Sequence, residues 1–382
     1  MERNLWIDYL RTVITVLVVA HHAAMAYTTF AFFDTEVYIR STSPVVDANR
    51  WIGLDVFMAF NDTFFMALMF FISGLFVFPA LQKKGASAFT KERLLRLGLP
   101  FMVAVTFIIP FAYTPSYYIS HNQFNFFDFV SDYLFVQQWP VGPPWFIWVL
   151  LVFNCIAALI PMHIYSAIGE KITRAAKLKP IQFFVVLFFI VLLSYAPVSI
   201  VLGHYAWTGF GPFDFQVNRF LFYFTFFMVG VVLGCTKWGN YFFKGKMLLG
   251  LPWSGWALKS LCAFVLFMLY TYCGIGVKWH GIIQSMVFSL LFVLCSICIS
   301  FACLALFRAY LKKSNPAMDS LCKNAYGIYL LHYIPVSWLQ FALLDTTLPV
   351  VLKFLIIFIV SLCSSWAMVY FLKKIKIVNR FV

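Results

Sequence analysis

Charge is what this sequence has least of. Asp, Glu, Lys and Arg make up 11% of its 382 residues, against roughly a quarter in an ordinary soluble domain. Only 14 residues are acidic, while 63% of the chain is hydrophobic. No hydrophilic block is long enough to fold as a separate soluble domain, so one integral membrane domain over residues 1–382 is expected. Metal-ligand spacing is also missing. The nine cysteines lie mostly in or beside apolar runs, and Cys295 and Cys298 have CxxC spacing without a second pair. They read as small hydrophobes in helix packing, and no metal is expected. The N-terminus lacks the short apolar core and small-residue cleavage site of a signal peptide, so its first apolar run is read as a working helix.

What is present is a series of apolar stretches, each near the ~20 residues that cross a bilayer. Spans are expected near residues 6–29, 54–80, 97–117, 143–162, 181–202, 219–236, 257–276, 281–307, 324–344 and 349–372: an all-α polytopic membrane protein. The formal charge of +14 would suit nucleic acid only on a soluble module with a basic face. Here it is spread over alternate connecting segments, and 23 of 28 basic residues fall on one side. The other side holds Arg40, Arg50, Arg219, Lys278 and Lys353. Positive segments stay cytoplasmic, so ten spans with both termini inside follow, in a lipid bilayer and without nucleic acid as partner. The outer segments 30–53, 118–142 and 203–218 are long and aromatic-rich, suited to frame the mouth of a site.

Several polar groups fall inside these spans, where an ionisable group is costly and marks function by default. In "DYLRTVITVLVVAHHA" (8–23), Arg11 and His22 are eleven residues apart, which returns to within roughly 20° on a helix and separates them by about 16 Å. They are expected to line one polar channel. Asp8 lies three positions before Arg11, within pairing reach; His21 points about 100° away. Asp62 is the one carboxylate well inside a span, which makes it the leading candidate to orient a histidine. Asn154 follows Trp145 and Trp148 in the fourth span, Asn218 and Arg219 begin the sixth, and Tyr326, Tyr329 and His332 recur at spacing three in the ninth. At the inner face, "FTKERLLRLGLP" sets Arg93 and Arg96 three apart. Paired guanidiniums suit phosphate recognition, and ordinary positive-inside topology is the competing account.

Five landmarks occur in order: Asp8 and Arg11 followed after ten residues by His22, "FFISGLF" (70–76), the RxxR pair Arg93 and Arg96 with Pro100 after it, "PPWFIWVLL" (143–151) and "YGIYLLH" (326–332). With them the chain resembles the acyltransferase 3 family of integral membrane acyltransferases. The second span and "RLLRLGLP" are similar to the branch of glucan-modifying succinyltransferases. Many relatives carry a histidine where this chain has Phe65 and a proline where it has Ala67, so a role for that histidine is absent here or filled by Asp62. No esterase-like soluble domain accompanies the membrane part, so transfer is expected to finish within it.

The resemblance implies movement of an acyl group, acetyl or succinyl, from cytoplasmic acyl-CoA to a hydroxyl of a carbohydrate or other acceptor across a bacterial inner membrane. It implies His22 as base or acyl relay, Arg11, Arg93 and Arg96 as donor-binding residues, and Trp145, Tyr329 and His332 as the site wall; Asp8 and Asn154 are expected to join that wall, and Asp62 to be catalytic by orienting or polarising a histidine. The chemistry agrees: a hydroxyl attacking a thioester must lose its proton, and histidine titrates nearest neutrality. Arg219, Asn154 and Tyr329 are candidates to steady the developing oxyanion. The alternative is a transporter or flippase using the same intramembrane Arg, Asp and His residues. Against it, the two halves show no repeated pattern of broken helices.

Overall fold

The computed structural model describes residues 4–178, 180–235, 251–272 and 281–379. Of the charges and cysteines counted above, Arg3, Lys179, Lys237, Lys244, Lys246, Lys278, Arg380 and Cys273 lie outside the described residues, as does the side chain of Lys177.

The protein is an all-α polytopic membrane protein. In chain order the helices are α1 (Leu5–Met25), α2 (Ile52–Leu75), α3 (Val77–Lys84), α4 (Ala86–Arg93), α5 (Leu99–Val103), α6 (Ile109–His121), α7 (Phe126–Ser131), α8 (Trp145–Leu159), α9 (Met162–Leu178), α10 (Pro180–Leu202) and α11 (Val217–Gly234). After these come α12 (Trp253–Tyr272), α13 (Gly281–Tyr310), α14 (Pro316–Leu331), α15 (Tyr333–Ala342) and α16 (Val350–Leu372). A two-residue hairpin, Trp207–Thr208 with Phe215–Gln216, is the only sheet among the described residues.

Among the described residues, eight helices or helix runs are long and apolar enough to cross a membrane, and a ninth if a bent pair counts as one span. The difference from ten has local causes. The expected fourth span is α8, which ends before Pro161; the chain turns by 97° into α9. The expected ninth span is divided between α14 and α15, neither of which reaches 18 residues. Pro335 lacks the N–H that would bond the carbonyl of Leu331, which places a break at His332. Backbone bonds flank it, from His332 N to Ile328 O at 3.0 Å and from Val336 N to His332 O at 3.1 Å. The expected third span lies within a 36-residue run, Ala86–His121. Two π-helical stretches, Leu94–Gly98 and Ala104–Ile108, interrupt its α geometry.

In lipid, close approach and van der Waals contact drive helix association, because the tails are as apolar as leucine. The α2/α11 pair follows this rule. A Cβ at Gly74 would collide with the carbonyl of Phe227, one at Gly230 with that of Phe71, and one at Gly234 with that of Leu75. Asp62 with Arg219, Phe71 with Gly230 and Leu75 with Gly234 follow the same order along both helices, which are therefore parallel, and the register that seats Gly230 beside Phe71 also sets Arg219 beside Asp62. Phe70 fills the space next to them, its ring centroid 4.5 Å from Phe146, 5.1 Å from Phe153 and 5.1 Å from Tyr223.

The outer segment 26–51 is an ordered polar cap. Buried Asp47 receives a hydrogen bond from Lys353 Nζ at 2.6 Å, both side chains at most 2% exposed. Asp55 accepts from the backbone and hydroxyl of Thr29. Tyr38 donates to Asp132 at 2.6 Å, and burial followed by that carboxylate holds its phenol well above the ordinary value.

Candidate functional site

Two polar regions lie one above the other. The inner one is a cavity of about 510 Å3. Arg11 enters it from α1, Arg93 and Arg96 from the end of α4 and the π-helical stretch after it, and Lys323 from α14. Thr15, Ser73, Asn154 and Tyr326 add polar surface. Two acidic groups pair with these cations: Asp8 lies 3.7 Å from Arg11, and Glu92 lies 3.3 Å from Arg96 and also holds Lys84. Arg93 lies over the ring of Phe89 at 4.9 Å, and its buried Nε has no hydrogen-bond partner among the described residues. Tyr326 donates to the carbonyl of Arg96 at 3.0 Å, which ties α14 to the π turn. Asn154 donates to Leu150 O at 2.7 Å.

Phe146 and Tyr329 also line this cavity. The Tyr329 hydroxyl donates to the carbonyl of Pro143, and its ring lies 6.0 Å from those of Phe146 and His332. Arg11 and Thr15 line this cavity; His22 is not among its lining residues and adjoins it through His332, whose ring lies 6.0 Å from that of the lining Tyr329.

A histidine pair adjoins Tyr329. His22, half-buried in the last turn of α1, has Nδ1 at 2.9 Å from Val18 O and 3.1 Å from Nε2 of His332. His332 is fully buried, and its Nδ1 lies 2.8 Å from Tyr329 O. Tyr333 packs edge-on against His22 at 5.1 Å. Gln340 of α15 donates to His22 O at 2.9 Å, which satisfies a carbonyl that the helix end leaves without a partner.

Among the described residues the Asp62 carboxylate is hydrogen-bonded by Arg219 and by no histidine. Arg219 binds it through Nη1 and Nη2, each at 2.6 Å, with Arg219 fully buried and the Asp62 side chain 31% exposed. The bidentate fork explains why the sole mid-span carboxylate is tolerated. It also engages the guanidinium proposed for an oxyanion. His204, in the outer loop, is lowered to about 4 by burial and then by Arg219, so it stays neutral above that cation. Trp145, at the outer end of α8, lies 5.7 Å from Tyr223 and 6.0 Å from Trp207 of the hairpin, apart from the cavity.

The structure thus brings Arg11, Arg93, Arg96, Asn154 and Tyr329 to one cavity, and His22 to His332. Asp8 stands behind Arg11, while Asp62 and Trp145 belong to the outer cluster. Sequence reasoning missed Lys323 and Gln340. The signal for Lys323 was present: it precedes Tyr326 and Tyr329 at spacing three, on the same helical face.

A profile of the family described as an acyltransferase domain, acyltransferase 3, matches residues 4–370. The chain belongs to this family. This acyltransferase is 23% identical over 282 residues to glucans biosynthesis protein C of Shigella dysenteriae serotype 1 (strain Sd197), covering 73% of this chain and 69% of the relative. It is 23% identical over 295 residues to the protein of the same description from Escherichia coli O139:H28 (strain E24377A / ETEC), with the same coverage. No solved structure matches. Among the described residues, no group of three or more His, Cys, Asp or Glu side chains is placed to hold a metal.

Proposed function

We propose that this acyltransferase moves an acetyl or succinyl group from cytoplasmic acyl-CoA to a hydroxyl of a carbohydrate, as a single domain in a bacterial inner membrane, with His22 as general base. The observation that supports this reading best is the convergence of Arg11, Arg93, Arg96 and Lys323 on one cavity on the inner side. A nucleoside-linked thioester carries several phosphate charges, and four cations set against two carboxylates leave a net attraction for it. Guanidinium forks grip phosphate in two places at once, which fixes the donor as well as binding it. The acceptor class follows from the relatives named for glucan biosynthesis and from the exposed rings of Tyr205, Trp207 and Phe210 in the outer loop, since aromatic faces suit sugar rings.

In this mechanism the acceptor oxygen bonds to the thioester carbon and the carbon–sulfur bond breaks. The hydroxyl proton passes to Nε2 of His22 and from there to the departing thiolate. His22 Nε2 has no hydrogen-bond partner among the described residues, which leaves it available.

The test uses the purified full chain in lipid nanodiscs with radiolabelled acetyl-CoA or succinyl-CoA and a β-glucan oligosaccharide, following free thiol and label in the sugar. Thiol release coupled to labelling is expected, with a loss of at least about 10²-fold in His22→Ala, the range general-base groups contribute. Charge-assisted hydrogen bonds contribute about 1.5–3 kcal/mol, so Arg93→Gln and Arg96→Gln should each raise the KM for donor roughly tenfold or more. Sugar uptake into vesicles without thiol release would favour the transporter instead.

A further inference from the structure

The site described so far leaves one question about the base. An imidazole removes a proton only through a nitrogen that carries a lone pair, so something must decide which of the two nitrogens of His22 that is. The sequence nominated Asp62, which Arg219 holds instead. We infer that His332 is the positioning residue for His22: its Nε2 accepts the Nδ1 proton of His22, which leaves His22 Nε2 as the nitrogen that takes the acceptor's proton. This rests on the reading of His22 as general base.

The assignment follows from the carbonyls. A carbonyl oxygen only accepts, so the ring nitrogens facing Tyr329 O at 2.8 Å and Val18 O at 2.9 Å must both carry hydrogen. His332 is therefore the Nδ1–H form, and its Nε2 presents a lone pair to His22 at 3.1 Å. His22 Nδ1–H is shared between Val18 O and that lone pair, and its Nε2 is left bare.

Both rings are held from several sides. His332 sits at the break between α14 and α15, fully buried. His22 is fixed by Tyr333 across its ring and by Gln340 on its carbonyl. The chemistry of the acceptor also suits its surroundings. A carboxylate in this place would add an ionised group to the span, and a second guanidinium would be needed to offset it. A neutral imidazole orients its partner with no net charge in the resting state. During transfer the hydroxyl O–H bond breaks, the proton joins His22 Nε2, and the resulting imidazolium keeps its Nδ1–H directed at His332. The positive charge is then spread over two rings until Nε2 returns the proton to the thiolate.

The experiment compares His332→Leu, which removes the lone pair, with His332→Gln, whose side-chain oxygen can accept from His22, in the coupled thiol-release assay. Leucine should lower kcat about 10²-fold, within the span of general-base contributions, with the KM for acyl-CoA changed less than about twofold because the donor cavity is not touched. Glutamine should recover at least about a tenth of wild-type kcat. A wild-type kcat in His332→Leu, a loss carried by KM alone, or a glutamine variant no better than leucine at equal melting temperature overturns the assignment. If the leucine variant fails to fold, the glutamine variant decides it by the same one-tenth threshold. Full turnover in His22→Ala would overturn the general-base reading itself; an inactive His22→Ala beside a fully active His332→Leu would overturn only the role of His332.

Discussion

A carboxylate in the middle of a span is a residue in search of a partner, and Asp62 found Arg219 across 157 positions of sequence. Its need for a partner was legible, because few residues other than a functional or paired acid tolerate that depth. Its partner was not, since nothing in the spacing of one helix tells which neighbour it will face. The same limit explains why His332 was read as wall. Its spacing with Tyr326 and Tyr329 placed it on a polar face, but contact with His22 depends on where α14 docks. Removing one half of a buried pair leaves the other half uncompensated. Asp62→Ala should cost roughly 3–5 kcal/mol and lower the thermal midpoint in detergent, while the double variant Asp62→Leu/Arg219→Leu should recover much of that loss. Equal midpoints for the single variant and wild type would contradict the pairing.

At the scale of the element, hydropathy located the membrane helices well, because twenty apolar residues in lipid have few other fates. What it could not reveal were the interruptions. The π-helical stretch at Leu94–Gly98 follows directly on Arg93 and contains Arg96; such bulges are frequent at functional sites, and no residue type announces them. The Pro335 break was readable in principle, as was the GxxxG spacing of Gly230 and Gly234. The glycine contact sets the depth of α11 against α2 and thereby the pairing of Arg219. Gly230→Leu must push Phe71 away, so it should destabilise the protein by about 2 kcal/mol or more, within the 1–3 kcal/mol typical of overpacking or above it. Thermal unfolding in nanodiscs would measure this, and an unchanged midpoint would show that the helices do not meet closely.

For the whole molecule the informative signal is the sign of the charges, since alternation of basic segments predicts an orientation before any helix is placed. The orientation makes a test of its own. In a variant stripped of its native cysteines, a cysteine at Phe127, exposed in the outer loop, should react with a membrane-impermeant maleimide in intact cells, and one at Lys84 only after lysis. The reverse pattern would invert the topology.

The ring of Tyr329, braced on Pro143, has a consequence beyond chemistry. Tyr329 lines the charged cavity, its ring lies 6.0 Å from that of His332, and its hydroxyl ties α14 to the segment that leads into α8, so one side chain clamps two helices together.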